Sequence, residues 1–171
     1  MKTAAHLLIL IGLITIIPIN AYSQQFGFLL GYSTSEAIIV GGHLISDNIL
    51  YRFSVSFETS KARGKEVTEQ EPNYGRTVDE TGDYYTTYDF SVGYFITRQV
   101  TVSAELSFGQ KKYYTSYIDN RFTDGGYHMI DKKESLIGFG ITGGYIFNGG
   151  LGFLIGYNTV RKFSFGVNYD F

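Results

Sequence analysis

Three histidines are the side chains in this sequence best suited to acid–base or metal chemistry near neutral pH. His6 lies in an apolar N-terminal segment, and His43 has its nearest following hydroxyl, Ser46, three residues away. His128 is close in sequence to three aspartates whose spacing matches no compact metal-binding loop. These aspartates are Asp119, Asp124 and Asp131. The chain has no cysteine, which excludes thiolate chemistry. We therefore predict no catalytic residue, no metal site and no cofactor, and expect that the protein is not an enzyme.

Four other charged residues stand inside segments that are otherwise apolar or small: Arg52, Glu58, Asp89 and Glu105. Such residues suit three different kinds of chemistry. Two carboxylates can act as general acid and base, a ring of charges can line a conducting pore, and opposite charges can form a buried ion-pair network. The choice among them depends on the elements that carry these side chains.

The chain from Phe26 onward alternates apolar residues with small or polar ones at a period of two, which predicts β-strands and no helix. We distinguish eight strands. The second, residues 37–45, is apolar at both parities, so its register is not defined by the sequence. Strands four, five and six are predicted to run for about 14, 18 and 15 residues, beyond the ~9–11 that span a membrane.

The connections between these strands alternate in length. Short, turn-forming links occur at residues 46–48, 97–99 and 148–150, whereas charged stretches at 61–82 and 118–132 form long loops. Long loops at alternate connections lie at one end of an up-and-down meander. This asymmetry is typical of outer-membrane barrels.

Residues 1–23 have the layout of a secretory signal peptide. Lys2 provides a positive start, an apolar run extends from Leu7 to Ile19, and the small residues Ala21 and Ser23 precede the predicted cleavage point. The run is too short for a transmembrane helix. We predict that residues 24–171 form one barrel domain. A net charge of −2 argues against a nucleic-acid partner.

The two faces of the predicted strands differ in composition. One parity is dominated by Phe, Tyr, Val and Ile, and the other by Gly, Ser, Thr and the isolated charges. The interior of an eight-stranded barrel is only wide enough for side chains to fill, so the aromatic rings would overpack it. We therefore predict that the rings face lipid and the charges face the lumen. Tyrosines near the strand ends fit a girdle at the headgroup level.

The last ten residues, KFSFGVNYDF, alternate aromatic side chains and end in Phe. This segment resembles the closing strand of bacterial outer-membrane barrels, and residues 26–171 as a whole resemble the small OmpA/OmpX-like eight-stranded family. The resemblance implies an all-β, eight-stranded antiparallel up-and-down transmembrane β-barrel in the outer membrane. It also implies a C-terminal signal read by the barrel-assembly machinery, carried by Phe163, Phe165, Val167, Tyr169 and Phe171.

The barrel interpretation predicts roles for the charged residues. Charges in a narrow lumen must be paired, so we expect a polar network of Arg52, Glu58, Asp89 and Glu105 in which Arg52 contacts Asp89 or Glu105. Four basic residues are expected near the outer headgroups, where they would contact lipopolysaccharide phosphates. They are Lys111, Lys112, Arg161 and Lys162.

The function predicted from these features is structural or surface interaction, with a plugged polar lumen. The expected partners are outer-membrane lipids and lipopolysaccharide, and an extracellular protein or glycan held by loops 61–82 and 118–132. Two alternatives remain. One is a small diffusion pore, and the other is a secreted lipocalin-like barrel, which would place its aromatic residues inside and its charges outside.

Overall fold

The computed structural model describes residues 24–171, which form nine β-strands. The strands are β1 (Gln24–Ser33), β2 (Ala37–Ser46), β3 (Ile49–Glu58), β4 (Lys65–Glu66), β5 (Thr77–Phe95), β6 (Val100–Ile118), β7 (Gly126–Ile146), β8 (Leu151–Asn158) and β9 (Lys162–Asp170). Among these described residues, no helix suited to crossing a membrane is found. The predicted signal peptide, residues 1–23, lies outside the described residues.

Eight of the strands close into a ring. Each pairs antiparallel with the next in the order β1, β2, β3, β5, β6, β7, β8 and β9, and β9 pairs with β1 to complete the circle. The remaining strand, β4, has two residues and pairs in parallel with Tyr127 and His128 of β7. The predicted fold, an eight-stranded antiparallel up-and-down barrel, is confirmed.

The outer surface of the barrel is apolar, and the inside is polar. Phe28 on β1 is 66 % exposed and Ile137 on β7 is 62 % exposed. Buried positions on the opposite parity are mostly serine, threonine, glycine and charged side chains. A soluble ligand-binding barrel requires the reverse distribution. The lipocalin-like alternative is therefore wrong.

Small residues on the inner face make room for long polar side chains. A Cβ atom at Gly27 would overlap the imidazole ring of His43 on the neighbouring strand. The second strand, whose register the sequence left open, places Ala37, Ile39, His43 and Ile45 inside. His43 is held there because its partner position is a glycine.

β5 and β7 are longer than the sequence pattern predicted, whereas β6 agrees within one residue. β5, β6 and β7 have 19, 19 and 21 residues. The predicted loops 61–82 and 118–132 are therefore wrong in extent: the connections are residues 59–76, which include β4, and 119–125. The polar and charged residues at the outer ends of β5, β6 and β7 are compatible with strands because their side chains contact each other across neighbouring strands. Lys111 Nζ lies 2.7 Å from Asp83 Oδ2, and Tyr113 Oη donates to Glu134 Oε2 at 2.9 Å.

The lipid-facing surface predicts how the barrel responds to a misplaced charge. Ile155 is in the middle of β8 and faces outward, opposite Phe165 of β9. Ile155→Arg is expected to destabilise the protein in a bilayer by about 2–4 kcal/mol, the cost of an arginine at mid-membrane depth. Urea unfolding in phospholipid vesicles measures this. Ser135→Arg, on the same outward face of β7 but beyond the last apolar pair, is the matched control and should be near neutral. Equal effects at the two positions would contradict the assignment of the outer face.

Candidate functional site: the lumen network and the outer cap

The centre of the lumen is occupied by Arg161, which is 3 % exposed. Its Nη2 donates to both carboxylate oxygens of Glu105, at 2.6 and 2.7 Å. Its Nη1 donates to Asp89 and, at 3.0 Å, to Ser56 Oγ. Asp89 itself is 1 % exposed. One guanidinium thus gives two buried carboxylates from adjacent strands a charged hydrogen-bonding partner, which is the kind of contact that makes buried charge tolerable.

Arg161 reaches the lumen from a turn and not from a strand. It is the last residue of the turn 159–161, which joins β8 to β9 at the end of the barrel that carries the long connections. The turn is fixed to the barrel wall because Ser35 Oγ donates to the Arg161 carbonyl at 3.0 Å and is itself 2.5 Å from Tyr85 Oη. Asn158, at the end of β8, donates to Glu105 Oε1 at 2.6 Å. The turn and the lumen cluster therefore form one hydrogen-bonded unit.

Arg52 does not make the contact that the sequence predicted. Its Nη1 donates to Ser103 Oγ at 2.9 Å and its Nη2 to Thr101 Oγ1 at 3.4 Å. No carboxylate of residues 24–171 lies within ion-pair distance of it. The prediction that Arg52 contacts Asp89 or Glu105 is wrong because Arg161 takes both carboxylates. Arg161 was assigned instead to the headgroups, so that prediction is also wrong.

The end of the lumen near the short turns has its own polar contacts. His43 Nε2 lies 2.7 Å from Asp170 Oδ1, and Asn168 Nδ2 donates to the same oxygen at 2.9 Å. Beside the Arg161 cluster lies a cavity of about 40 Å³, lined in part by Arg52 and Ser54. A space of that size holds only a few water molecules.

The other predicted site residues lie at different heights. Glu58 is half-buried at the outer end of β3 and makes no ion pair with a described residue. The predicted contact of Lys111 with lipid headgroups is wrong. Lys111 has the inward parity of β6 and pairs with Asp83. Lys112 has the outward parity, and its Nζ is 3.3 Å from Glu66 Oε2. Lys162 is exposed and donates to the Thr159 carbonyl at 2.9 Å.

A second cluster is aromatic and organises the long connections. We call residues 59–76 together with 119–125 the outer cap. At its centre Tyr127 of β7 is fully buried (0 % exposed) and stacks on Tyr117 of β6, with ring centroids 5.1 Å apart. Tyr74 and Phe122 of the cap approach the same ring at 5.3 and 5.2 Å. The cap thus has a small aromatic core of its own.

Polar contacts fasten the outer cap to the strands. Tyr127 Oη donates to the Gly75 carbonyl at 2.6 Å, and Gln70 Nε2 donates to Tyr127 Oη at 2.8 Å. His128 Nδ1 lies 3.0 Å from the Arg63 carbonyl, so this histidine is a structural contact. The sequence predicted only a girdle of tyrosines near the strand ends, and it gave no sign that a connection would fold back over Tyr127.

Asp119 acts as the clasp of the outer cap. Its carboxylate accepts hydrogen bonds from the Gly75 amide at 2.7 Å and from Arg121 Nε at 2.8 Å. The hydrogen bonds from Arg121, followed by that from the Gly75 amide, hold the pKa of the Asp119 carboxyl well below its usual range. The Arg121 guanidinium also lies 5.7 Å from the centre of the Tyr74 ring. One carboxylate therefore ties the two segments of the cap together.

Comparisons with known proteins bear on the fold. No protein-family model and no curated protein matches the sequence. The solved structure of a major outer membrane protein from Thermus thermophilus is similar with a TM-score of 0.51 at 12 % identity, covering 88 % of this chain and 100 % of that chain. A de novo designed transmembrane β-barrel gives 0.47 at 12 % identity, covering 86 % and 94 %. The attachment invasion locus protein Ail of Yersinia pestis, in complex with the heparin analogue sucrose octasulfate, gives 0.46 at 11 % identity, covering 87 % and 97 %.

A closed ring of eight antiparallel strands with an apolar outside and a polar inside defines a transmembrane β-barrel. Its architecture is that of a small eight-stranded barrel, and the fold and surface together place the protein in an outer membrane. The end with the longer connections is accordingly extracellular, and the short turns are periplasmic.

The lumen cluster predicts a large effect of removing the guanidinium that contacts both of its carboxylates. Arg161→Ala leaves Asp89 and Glu105 buried without compensation, so the free energy of unfolding should fall by about 3–5 kcal/mol. Urea unfolding in lipid vesicles measures the loss. Lys162→Ala, one residue away and exposed, is the control and should have little effect.

A charge-neutral variant keeps this prediction testable even where Arg161→Ala does not fold. The triple substitution Arg161→Met, Asp89→Asn and Glu105→Gln removes the charges together, so it should fold and recover most of the lost stability. A triple variant no more stable than Arg161→Ala would contradict the role of charge compensation.

The clasp predicts a pH dependence that is confined to the outer cap. Because the folded-state pKa of Asp119 is lowered, its stabilisation of the cap is complete above the ordinary value of 3.8 and declines as the pH falls below it. Hydrogen exchange of the Gly75 amide, corrected for intrinsic rates, should therefore lose protection in acid. Asp119→Asn should reduce protection at neutral pH and remove the acid dependence, whereas Asp124→Asn should change neither. Unaltered protection in Asp119→Asn would show that the clasp does not hold the cap.

Proposed function

We propose that this protein is a closed outer-membrane barrel that acts at the cell surface through its extracellular sheet and outer cap. It is not a catalyst and not a channel. The observation that carries the proposal is the folded cap: three strands extend beyond the membrane, and their connections pack around Tyr127. An ordered extracellular surface of this kind presents a fixed shape to a partner.

The outer cap offers both polar and charged side chains to an extracellular protein or glycan. Exposed polar and charged residues of its two segments include Lys65, Glu69, Glu71, Asn73, Arg76, Asn120, Arg121 and Asp124. Because the aromatic core beneath them is packed, these side chains are carried by a backbone that loses little entropy on binding. Mixed charge favours a polar partner over an apolar one.

The lumen contacts support a closed barrel over a diffusion pore. Arg161 crosses the centre of the bore and is bonded to Asp89 and Glu105 on the opposite wall. The cavity that Arg161 helps to line has a volume of about 40 Å³, which is room for only a few water molecules. The interior of an eight-stranded barrel is only wide enough for its side chains to fill, so no wider channel is expected.

The proposal also gives the C-terminal strand a part in biogenesis. The alternate residues of β9 and the final residue face outward and are exposed, as a signal for the barrel-assembly machinery requires. They are Phe163, Phe165, Val167, Tyr169 and Phe171. This assignment rests on the resemblance of the segment to closing strands of other barrels.

Replacement of residues 60–75 by a short Gly-Ser linker tests the surface role. Cells that express the wild-type protein should adhere to at least one of a panel of immobilised glycans and extracellular matrix proteins, and the replacement should abolish that adhesion. The barrel should still migrate in a heat-modifiable manner on gels, which shows that it folds. Planar bilayers should record no channel steps with either protein.

Two results would contradict the proposal, and they point in different directions. Adhesion that persists in the linker variant would remove the outer cap from the function. Regular conductance steps with the wild-type protein would favour the small diffusion pore instead.

A further inference from the structure

The turn that joins β7 to β8, residues 147–150, contains the pair Asn148-Gly149. A backbone amide that follows an asparagine can attack the carbon of the side-chain amide and close a succinimide ring. A Cβ atom on the following residue obstructs this approach, and glycine removes the obstruction. Of the asparagines between residues 24 and 171, only Asn148 precedes a glycine. This turn is therefore the place in the described chain where the ring closes with least hindrance.

Both reacting groups are accessible in the folded barrel. Asn148 and Gly149 are exposed, and a Cβ atom added at Gly149 would meet nothing within 4 Å. The turn is closed around them, because the Phe147 amide donates to the Leu151 carbonyl at 2.8 Å and the Gly150 amide donates to the Phe147 carbonyl at 3.0 Å. No oxygen of the described chain accepts a hydrogen bond from the Gly149 amide. Solvent can therefore remove the proton of the attacking nitrogen.

The outer cap contains a second pair that can form the same ring, Asp124-Gly125. There the Gly125 amide donates to the Phe122 carbonyl at 2.9 Å, so the nitrogen that would attack is already engaged. An ionised carboxylate is in addition a poorer electrophile than an amide. The structure therefore favours reaction at Asn148 over reaction at Asp124.

A neighbouring turn supplies a hydrogen-bond donor to the group under attack. Gln99, the last residue of the connection between β5 and β6, donates from Nε2 to Asn148 Oδ1 at 3.2 Å. Two contacts position Gln99: Tyr145 Oη donates to its Oε1 at 3.0 Å, and the Ile146 amide donates to its carbonyl at 2.8 Å. Negative charge develops on Oδ1 when the amide carbon becomes tetrahedral, so this donor stabilises the transition state. Because the contact is exposed to water, its effect is smaller than that of a buried oxyanion hole.

We propose that Asn148 is a self-modification site, which deamidates with the Gly149 amide as the nucleophile and Gln99 as the donor to the developing oxyanion. The Gly149 nitrogen loses its proton to water and bonds to Asn148 Cγ, and ammonia leaves as the bond from Cγ to Nδ2 breaks. Water then opens the succinimide, at Cγ to give aspartate or at the main-chain carbonyl carbon to give isoaspartate. The net reaction consumes one water and releases one ammonia. This inference does not depend on the proposed function.

The modification changes the charge and the shape of the turn. Both products carry a carboxylate at position 148, and in the aspartate product Gln99 Nε2 still donates to it, now as a charge-assisted hydrogen bond. In the isoaspartate product the main chain runs through the former side chain, which lengthens the turn. Because water is the only co-reactant, the negative charge at this end of the barrel increases with the age of the molecule.

Incubation of the detergent-folded barrel in mildly alkaline water enriched in heavy oxygen, followed by peptide mass spectrometry, tests the proposal. The fragment with residue 148 should gain about 3 Da, of which about 1 Da is the change from amide to hydroxyl and about 2 Da is the heavy oxygen. Asn120 and Asn158 should not change. Gly149→Ala should slow the conversion on the order of tenfold, because the added Cβ obstructs the attack.

A comparison of folded and unfolded protein isolates the part played by Gln99. Gln99→Met keeps the length of the side chain and removes the donor, so it should slow the conversion about threefold in the folded barrel. In urea the variant and the wild type should convert at the same rate, because the donor is no longer held at Asn148. Gln110→Met, at an exposed position of β6, is the matched control and should convert like the wild type in both states.

Three outcomes would overturn the inference. Asn148 that stays intact in the folded barrel and converts only in urea would show that the turn protects it. A folded Gln99→Met variant that converts as fast as the wild type would remove Gln99 from the reaction. Isoaspartate that accumulates faster at Asp124 than at position 148 would show that the engaged Gly125 amide does not hinder the attack. None of these results bears on adhesion or conductance, so this inference and the proposed function fail separately.

Discussion

Hydrocarbon offers no hydrogen-bonding partner, so each backbone N–H and C=O of a chain that crosses it must be paired within the protein. The pairing of β9 with β1 satisfies this requirement, since it joins the two ends of an eight-stranded sheet and leaves no strand edge in the lipid. Closure in turn decides where the side chains go. Bulky rings have space only outside, and the inner parity is left to glycine, serine, threonine and a few charges.

The same closure creates the electrostatic problem that the lumen solves. Charged groups on the inner face are cut off from bulk water and attract each other strongly. The structure gives them hydrogen-bonding partners in layers, with Arg161 between Asp89 and Glu105 in one layer and His43 beside Asp170 in another. Arg52 is held by hydroxyl groups in between. Each layer is anchored to different strands, so the polar interior also fixes their relative positions.

The sequence was sufficient for the fold but not for the details of the sites. A period of two, alternate loop lengths and the sorting of aromatic residues from charges are local properties, and they predicted eight strands and the outer face correctly. The residue that contacts Asp89 and Glu105 could not be predicted from its neighbours in the sequence. Arg161 stands beside Lys162 in a turn, where a basic pair is ordinarily solvated, and only the three-dimensional course of the turn brings its guanidinium to Asp89.

The lengths of β5 and β7 escaped prediction for a related reason. Their extracellular parts carry charged residues, which in the sequence indicated a loop. In the structure Asp83 and Lys111 form an ion pair between neighbouring strands. The outer cap depends on a fold-back contact between Gly75 and Asp119, forty-four positions apart. Spacing along the chain carries no signal for such a contact.

The position of Arg161 has a consequence for the order in which the barrel is made. The hairpin of β8 and β9 carries this residue and also supplies the strand that meets β1. Asp89 and Glu105 belong to strands that precede the hairpin in the chain, and in an unsealed sheet they remain in contact with water. The final hairpin seals the cylinder and delivers the counter-charge together, so assembly passes through no stage in which a bare carboxylate is trapped away from solvent.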